Sequence, residues 1–229
     1  MTVKKKAGAR RGAAATTAAT TVADADTEQR ILDAASSVFL RRGTAGARMQ
    51  DIAAEAGVNH ALLHYYFRSK DRLAAAVFRR AATRLLPPFV AILGSDLPLE
   101  EKVARIVEHE LDQLRAAPHL PGYILSELNH HPERAAQLVQ TLAGVDPERV
   151  RPAIFATLAK QLDERVKAKK MRPIAVEQFI VNLVSLCIFP FAARPMVMTM
   201  FGWSDDDFSR FIDRRRRELP DFFLEALAP

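Results

Sequence analysis

The chain has 229 residues, 49% hydrophobic and 26% charged, the proportions of an ordinary globular protein. Its single cysteine, Cys187, excludes an intrachain disulfide and a cysteine zinc cage and fits a reducing compartment. The net charge of +6 is uneven: residues 1–73 hold 12 Lys/Arg against 7 Asp/Glu and residues 74–229 hold 21 against 20, so a polyanion is expected at the N-terminal end.

Residues 1–25 are low in complexity, and their Lys4, Lys5, Lys6, Arg10 and Arg11 read as a disordered basic arm. The stretch from Gly12 to Thr21 has no Leu, Ile or Phe, so no signal-peptide core follows the charges. Asp26 or Thr27 is then expected to cap a first helix whose buried stripe is Ile31, Ala35, Val38 and Phe39, with Gly43 as its stop. A short helix is predicted over Met49–Ala56, burying Met49, Ile52, Ala53 and Ala56. Gly57 supplies a positive-φ turn, Val58 an apolar plug and Asn59 a fresh N-cap for a two-turn helix over His60–Phe67. Ser69 caps a longer helix that runs through Leu73, Val77 and Phe78 to Pro87 and Pro88.

Beyond Gly94, helices are predicted over Leu99–Ala116, Gly122–Asn129, Pro132–Ala143, Pro147–Lys169, Ile174–Phe191 and Ser204–Leu227. The apolar run Ile174–Ala193 contains Glu177, Gln178, Asn182 and Pro190, which favours a buried helix over a membrane span. The expected fold is all-α: a basic arm (1–25), a three-helix head (26–73) and a larger helical body (74–229).

Two short helices around a glycine turn, from Asp51 to Leu73, form a helix-turn-helix whose second helix enters the DNA major groove. If Leu63 and Phe67 point inward, Ala61 and Tyr65 point away and His60 and His64 share a flank. That outward face is small, aromatic and polar, whereas a merely solvated helix more often shows Glu, Lys or Gln. His60 and His64 also stand at a spacing that suits zinc, but no carboxylate or cysteine completes a site nearby. No Gly-x-Ser-x-Gly elbow, phosphate-binding loop, dinucleotide fingerprint or HExxH pair is present, so catalysis and a cofactor are not expected.

From Gln29 to Leu73 the chain resembles the DNA-binding head of the TetR family of bacterial regulators. The matching residues are Ile31-Leu32-Asp33-Ala34-Ala35, Phe39, Gly43, Asp51-Ile52-Ala53, Ala56-Gly57-Val58, Tyr65-Tyr66-Phe67, Lys70 and Leu73. The resemblance implies that Asn59 to Tyr65 is the recognition helix, so that Asn59, His60, Ala61 and His64 are expected to contact DNA. It implies that Tyr65 and Tyr66 touch backbone and thymine methyls, and that Lys70 anchors a phosphate. Family members usually carry Thr or Ser where this chain has Ala47 and Arg48. Arg48 is thus expected to meet phosphate with a charge, and the cap of the second helix to be weaker by roughly 1 kcal/mol. The resemblance also implies a homodimer on a palindromic operator, built here from Pro147–Lys169 and Ile174–Phe191.

A small apolar or amphipathic effector is expected in the body, lined by Phe89, Ile106, His109, Tyr123, Leu128 and Phe155. The expected protein is a cytoplasmic, nucleoid-associated repressor that double-stranded DNA binds and a ligand releases. Two alternatives stay open: a metal-responsive sensor using His109, His130 and His131 with nearby acids, and an architectural module that senses nothing. Cys187 reads as a small core residue, and Arg214 to Arg217 as a solvated face.

Overall fold

Alanine, leucine and straight-chain polar residues favour helix along the chain, and the described residues are predominantly helical, with no strand among them. The computed structural model describes the backbone of residues 8–136 and 147–229, and the side chains of 24–83, 86–136 and 155–229. Its helices are α1 (Gly8–Gly46), α2 (Met49–Ala56), α3 (His60–Tyr66), α4 (Lys70–Gly94), α5 (Leu99–Ala116), α6 (Leu120–His130), α7 (Pro147–Lys167), α8 (Val176–Ala192), α9 (Arg194–Phe201) and α10 (Asp205–Glu225). They divide into two compact units, Met1–Val77 and Phe78–Pro229, so the division lies inside α4, a little beyond the expected boundary at Leu73.

In the first unit, Ile31, Ala35, Val38 and Phe39 of α1 are buried as their spacing requires, and α1 packs on α2. The start of α1 departs from expectation. The helix reaches back to Gly8 and runs through Asp26 and Thr27, which therefore do not cap it. Alanines at positions 13, 14, 15, 18 and 19 extend a helix already nucleated by the packed segment from Ile31 onward. The disordered arm expected over residues 1–25 is thus helical from residue 8, while Lys4, Lys5 and Lys6 lie outside the described residues. At the far end, Gly43 (φ 68°, ψ 163°) interrupts the helix in a conformation open almost exclusively to glycine.

The second unit is built on α5, whose inward stripe comprises Leu99, Val103, Ile106, Val107, Leu111 and Leu114. It packs against α8 and α10. These two helices run antiparallel: Phe179 meets Phe223 edge-on at 5.0 Å, Arg215 reaches the Leu186 carbonyl, and Phe191 meets Phe208 at 5.5 Å. Leu158, Leu162 and Met171 complete the core from α7 and the loop after it.

Two features of the second unit differ from the sequence reading. Pro87 and Pro88 do not end α4, which continues to Gly94. An interior proline costs about 3 kcal/mol, but the turns beyond it bury Leu93 and half-bury Phe89 and Ile92 against the core, a gain of the same order. Lys102, itself buried, donates its Nζ to the Leu93 carbonyl at 2.7 Å and satisfies the end of that helix. The segment after α8 forms an extra helix, α9, bent 70° away from it. It has proline near its start and left-handed Gly202 (φ 65°) at its end. Most of the helix expected over Pro132–Ala143 falls outside the described residues.

No single helix among the described residues is long and apolar enough to cross a membrane. Ser204 caps α10 through a reciprocal box with Asp207. The Ser204 hydroxyl holds the Asp207 carboxyl at a pKa of about 2, with help from the Ser204 backbone N–H and Arg210.

Candidate nucleic-acid interface

The turn between α2 and α3 is made by the residues expected to make it. Gly57 adopts the left-handed conformation (φ 64°, ψ 36°), and Val58 N donates back to the Ala53 carbonyl at 3.0 Å. The Asn59 carboxamide oxygen then accepts from Leu62 N at 2.7 Å and starts α3. Leu63 and Phe67 are buried beneath it. Asn59, His60, Ala61, His64 and Tyr65 are consequently exposed, Tyr65 by 76%. The His60 and His64 rings sit 4.5 Å apart, edge to face, so both imidazoles share one flank of the helix. Tyr65 and Tyr66 also meet edge-on, at 5.3 Å.

The entrance to α2 is held differently. Arg48 occupies the N-cap with no side-chain cap bond, as its replacement of a hydroxyl residue predicts, and is exposed. α2 is instead tied to α1 by the ion pairs Arg41–Glu55 and Arg42–Asp51. The hydrogen bond from Arg41 holds the Glu55 carboxyl below the usual range.

Two residues expected at DNA are committed elsewhere in the unbound protein. Lys70 Nζ donates to the carbonyls of Ala45 and Ala47, at 3.2 and 3.3 Å, and so braces the loop between α1 and α2. Ser69 caps α4 as expected, its hydroxyl accepting from Arg72 N at 3.2 Å. Tyr66 is half-buried, and its hydroxyl donates to Asp24 Oδ1 at 2.9 Å, which raises its pKa; Thr27 bonds the same phenol. The contacts of Asp24 and Thr27 with Tyr66 escaped the sequence reading because some forty residues separate the partners, and no local pattern encodes such a contact.

The expected effector-lining residues are less coherent. Ile106 is fully buried and Phe89 packs against the same core cluster. Tyr123 is buried outside that cluster, while His109, Leu128 and Phe155 are half-buried. Two surface cavities on the body, about 210 and 510 Å³, are lined by other residues, chiefly of α10, including Phe211, Arg215 and Phe222 in the smaller. Among the described residues no three His, Cys, Asp or Glu side chains gather to hold a metal. The His130 ring nitrogen contacts the Ser126 carbonyl at 2.7 Å, and His131 faces Glu133 at 3.3 Å, so the two histidines are engaged separately.

The profile of the bacterial regulatory proteins of the tetR family matches residues 31–77, the span that builds this turn and its supports. A helix-turn-helix transcriptional repressor of Mycobacterium tuberculosis is 33% identical over 150 residues, covering 62% of this chain and 73% of that protein. The chain belongs to the TetR family. Solved structures agree in fold. HlyIIR, a hemolysin II transcriptional regulator, superposes with a TM-score of 0.56 at 23% identity, over 90% of this chain and 99% of that one. FadR from Bacillus subtilis, solved in complex with stearoyl-CoA, gives a TM-score of 0.53 at 15% identity, over 86% and 97%. This TetR-family chain is therefore a DNA-binding transcriptional regulator with a helix-turn-helix head and a helical body.

Proposed function

We propose that this TetR-family protein is a cytoplasmic repressor that binds a palindromic operator as a homodimer and releases it when a small molecule enters the body. The observation that carries the reading is α3 itself: its apolar residues face inward and Asn59, His60, Ala61, His64 and Tyr65 face out. These are groups that hydrogen-bond base edges or pack on thymine methyls. Arg48 and Lys70 then supply phosphate contacts, Lys70 by leaving the two carbonyls that hold it in the unbound state. Tyr65 takes the aromatic role in full, while Tyr66 acts chiefly as a strut to Asp24.

The dimer surface is assigned to α8 and α10. The family resemblance implied the helix beginning at Pro147 in place of α10. Beyond residue 154 the exposed positions of α7 and of α10 alike are mostly charged, but α10 lies against α8 and adds the exposed ring of Phe222. Val181 and Phe189 on α8 and Phe222 on α10 are exposed apolar side chains on two helices already packed together. Two-fold symmetry would bring two recognition helices to successive major grooves about 34 Å apart.

For release, the ligand must favour the dimer that does not fit DNA, by about 1.4 kcal/mol for each tenfold loss of operator affinity. Phe89, Ile106, His109, Tyr123, Leu128 and Phe155 remain the proposed lining. The stearoyl-CoA held by FadR supports a ligand site in a body of this fold. No role in catalysis is proposed.

Selection of bound duplexes from a random pool tests the operator reading. The expected product is a symmetric pair of half-sites, and Tyr65→Ala or His60→Ala should change the preferred bases. A pool that shows no enrichment, or equal losses on selected and random duplex for both variants, overturns base readout by α3.

A further inference from the structure

The two ends of α3 are held by different means. At its start, the Gly57 turn and the Asn59 cap are local. At its end, Phe67 is buried, and the Tyr66 hydroxyl donates to Asp24 Oδ1 at 2.9 Å, a bond between residues 42 apart in the chain. Thr27 bonds the same phenol, so α1 engages it from two positions.

Asp24 is aimed at α3 by the period of its own helix. It stands about two turns before Ile31 and about four before Val38, both buried, so the stripe of α1 that packs the head also carries Asp24. Thr27, three residues on, is its neighbour on that side of the helix. Because α1 runs unbroken through both residues, neither side chain is used as a helix cap, and both are left to meet the phenol. Asp24 and Thr27 also lie outside residues 31–77, the span that matches the family profile, so the family match does not account for the contact.

The Tyr66 ring is in turn a neighbour of the DNA-reading surface. Tyr65 meets it edge-on at 5.3 Å, with the ring planes 89° apart, and is itself 76% exposed. A ring so exposed has several rotamers open to it, and an edge-on neighbour that is held still narrows the choice. Asp24 thus reaches Tyr65 through a single intervening ring.

We propose that Asp24 is a positioning residue for sequence recognition: through the Tyr66 phenol it fixes the C-terminal end of α3 and the pose of Tyr65 against the bases. The inference rests on the base-readout reading of α3 and names a residue on which that readout depends. The acceptor oxygen of Asp24 does the positioning, not its charge. A negative charge beside a DNA-binding helix repels phosphates on every sequence alike. Losing the charge therefore strengthens binding to all duplexes, whereas losing the position weakens binding to the preferred one.

Asp24→Ala, Asp24→Asn, Tyr66→Phe and the double variant Asp24→Ala/Tyr66→Phe separate these effects. Alanine is the better helix former at an exposed helical position, so Asp24→Ala should keep the fold. Fluorescence anisotropy compares each protein on a duplex that the wild type selects from a random pool and on a random duplex of equal length. Asp24→Ala should lower affinity for the selected duplex about fivefold, the low end of what one base contact contributes, and leave the random duplex nearly unchanged. Asn keeps an acceptor oxygen, so Asp24→Asn should recover most of that loss. Tyr66→Phe should lose as much as Asp24→Ala, and the double variant no more than either, because all three break one bond. In the free protein, the Tyr66 phenol followed by NMR should ionise at a lower pH in Asp24→Ala than in the wild type, since the bond to Asp24 raises its pKa.

Selected-duplex affinity unchanged or raised in Asp24→Ala, additive losses in the double variant, a loss that Asn does not recover, or a phenol that ionises alike in both proteins overturns the assignment and leaves base readout standing. An equal loss on both duplexes marks a merely structural role and overturns it as well. A wild-type protein that enriches no sequence sinks the base-readout reading, and the inference with it.

Discussion

The two units handle charge in opposite ways. Through Val77, the described buried side chains are all apolar, and the charged and polar groups lie at or near the surface, where α3 displays its histidines and Tyr65. Beyond Phe78, Lys102, Glu110, Glu127 and Arg134 are all buried. A surface that reads DNA needs its donors in water, free to exchange solvent for bases and phosphates, over a core that holds them still. A buried charge destabilises unless it is paired, so a body that keeps four such groups must pair each or favour its neutral form. Lys102 has its carbonyl and Glu127 has Arg134. Glu110 is the exception.

The contrast breaks most visibly at the Glu127–Arg134 pair. Arg134→Met, which strands Glu127 in the interior, should lower body stability by about 3–5 kcal/mol. Replacing both members with apolar residues should cost far less. Urea unfolding would measure both, and a single substitution as mild as the double one would mean that the pair is solvated in solution.

Next in size is the pH dependence of Glu110. Its folded pKa, about 7, lies above the ordinary carboxyl value of 4.5, so the folded state binds the proton more tightly than the unfolded one. Stability therefore falls as pH rises from 4.5 to 7, by an amount on the order of 3 kcal/mol, and levels off above. Glu110→Gln should remove that slope. Parallel pH profiles for the two proteins would place the carboxyl in water.

In the head the expected effects are smaller and backbone-driven. Gly57→Ala meets open space but needs a positive φ, so it should cost roughly 1–2 kcal/mol and reduce operator affinity through a displaced α3. Tyr66→Phe removes the bond to Asp24 and keeps the ring. Its operator affinity should fall less than that of Tyr65→Ala. A larger loss would return Tyr66 to the DNA surface as a direct contact.

Most of the head was legible because its signals are local. The Gly57 turn, the Asn59 and Ser69 caps, the inward Leu63 and Phe67 and the uncapped Arg48 are each decided within four residues of chain. In the body, the limits of α5 followed from amphipathic spacing between Pro98 and Pro118. The misses have physical causes of another kind. Pro87 and Pro88 were overridden by burial beyond them, and residues 8–25 were carried by a helix nucleated downstream. The helix α9 lay unnoticed between two stronger patterns, although Pro195 and Gly202 mark its ends.

The sequence by itself thus determined an all-helical chain with an outward-facing recognition helix, because periodicity, capping and turn chemistry act over a few residues. Tertiary packing alone decided that Tyr66 leans on Asp24, that Lys70 holds two carbonyls, and that Glu110 is buried without a cation while the exposed acids Glu108 and Asp112 on the other side of α5 are paired. Such contacts join residues far apart in the chain, and whether a charge is matched depends on which helices meet.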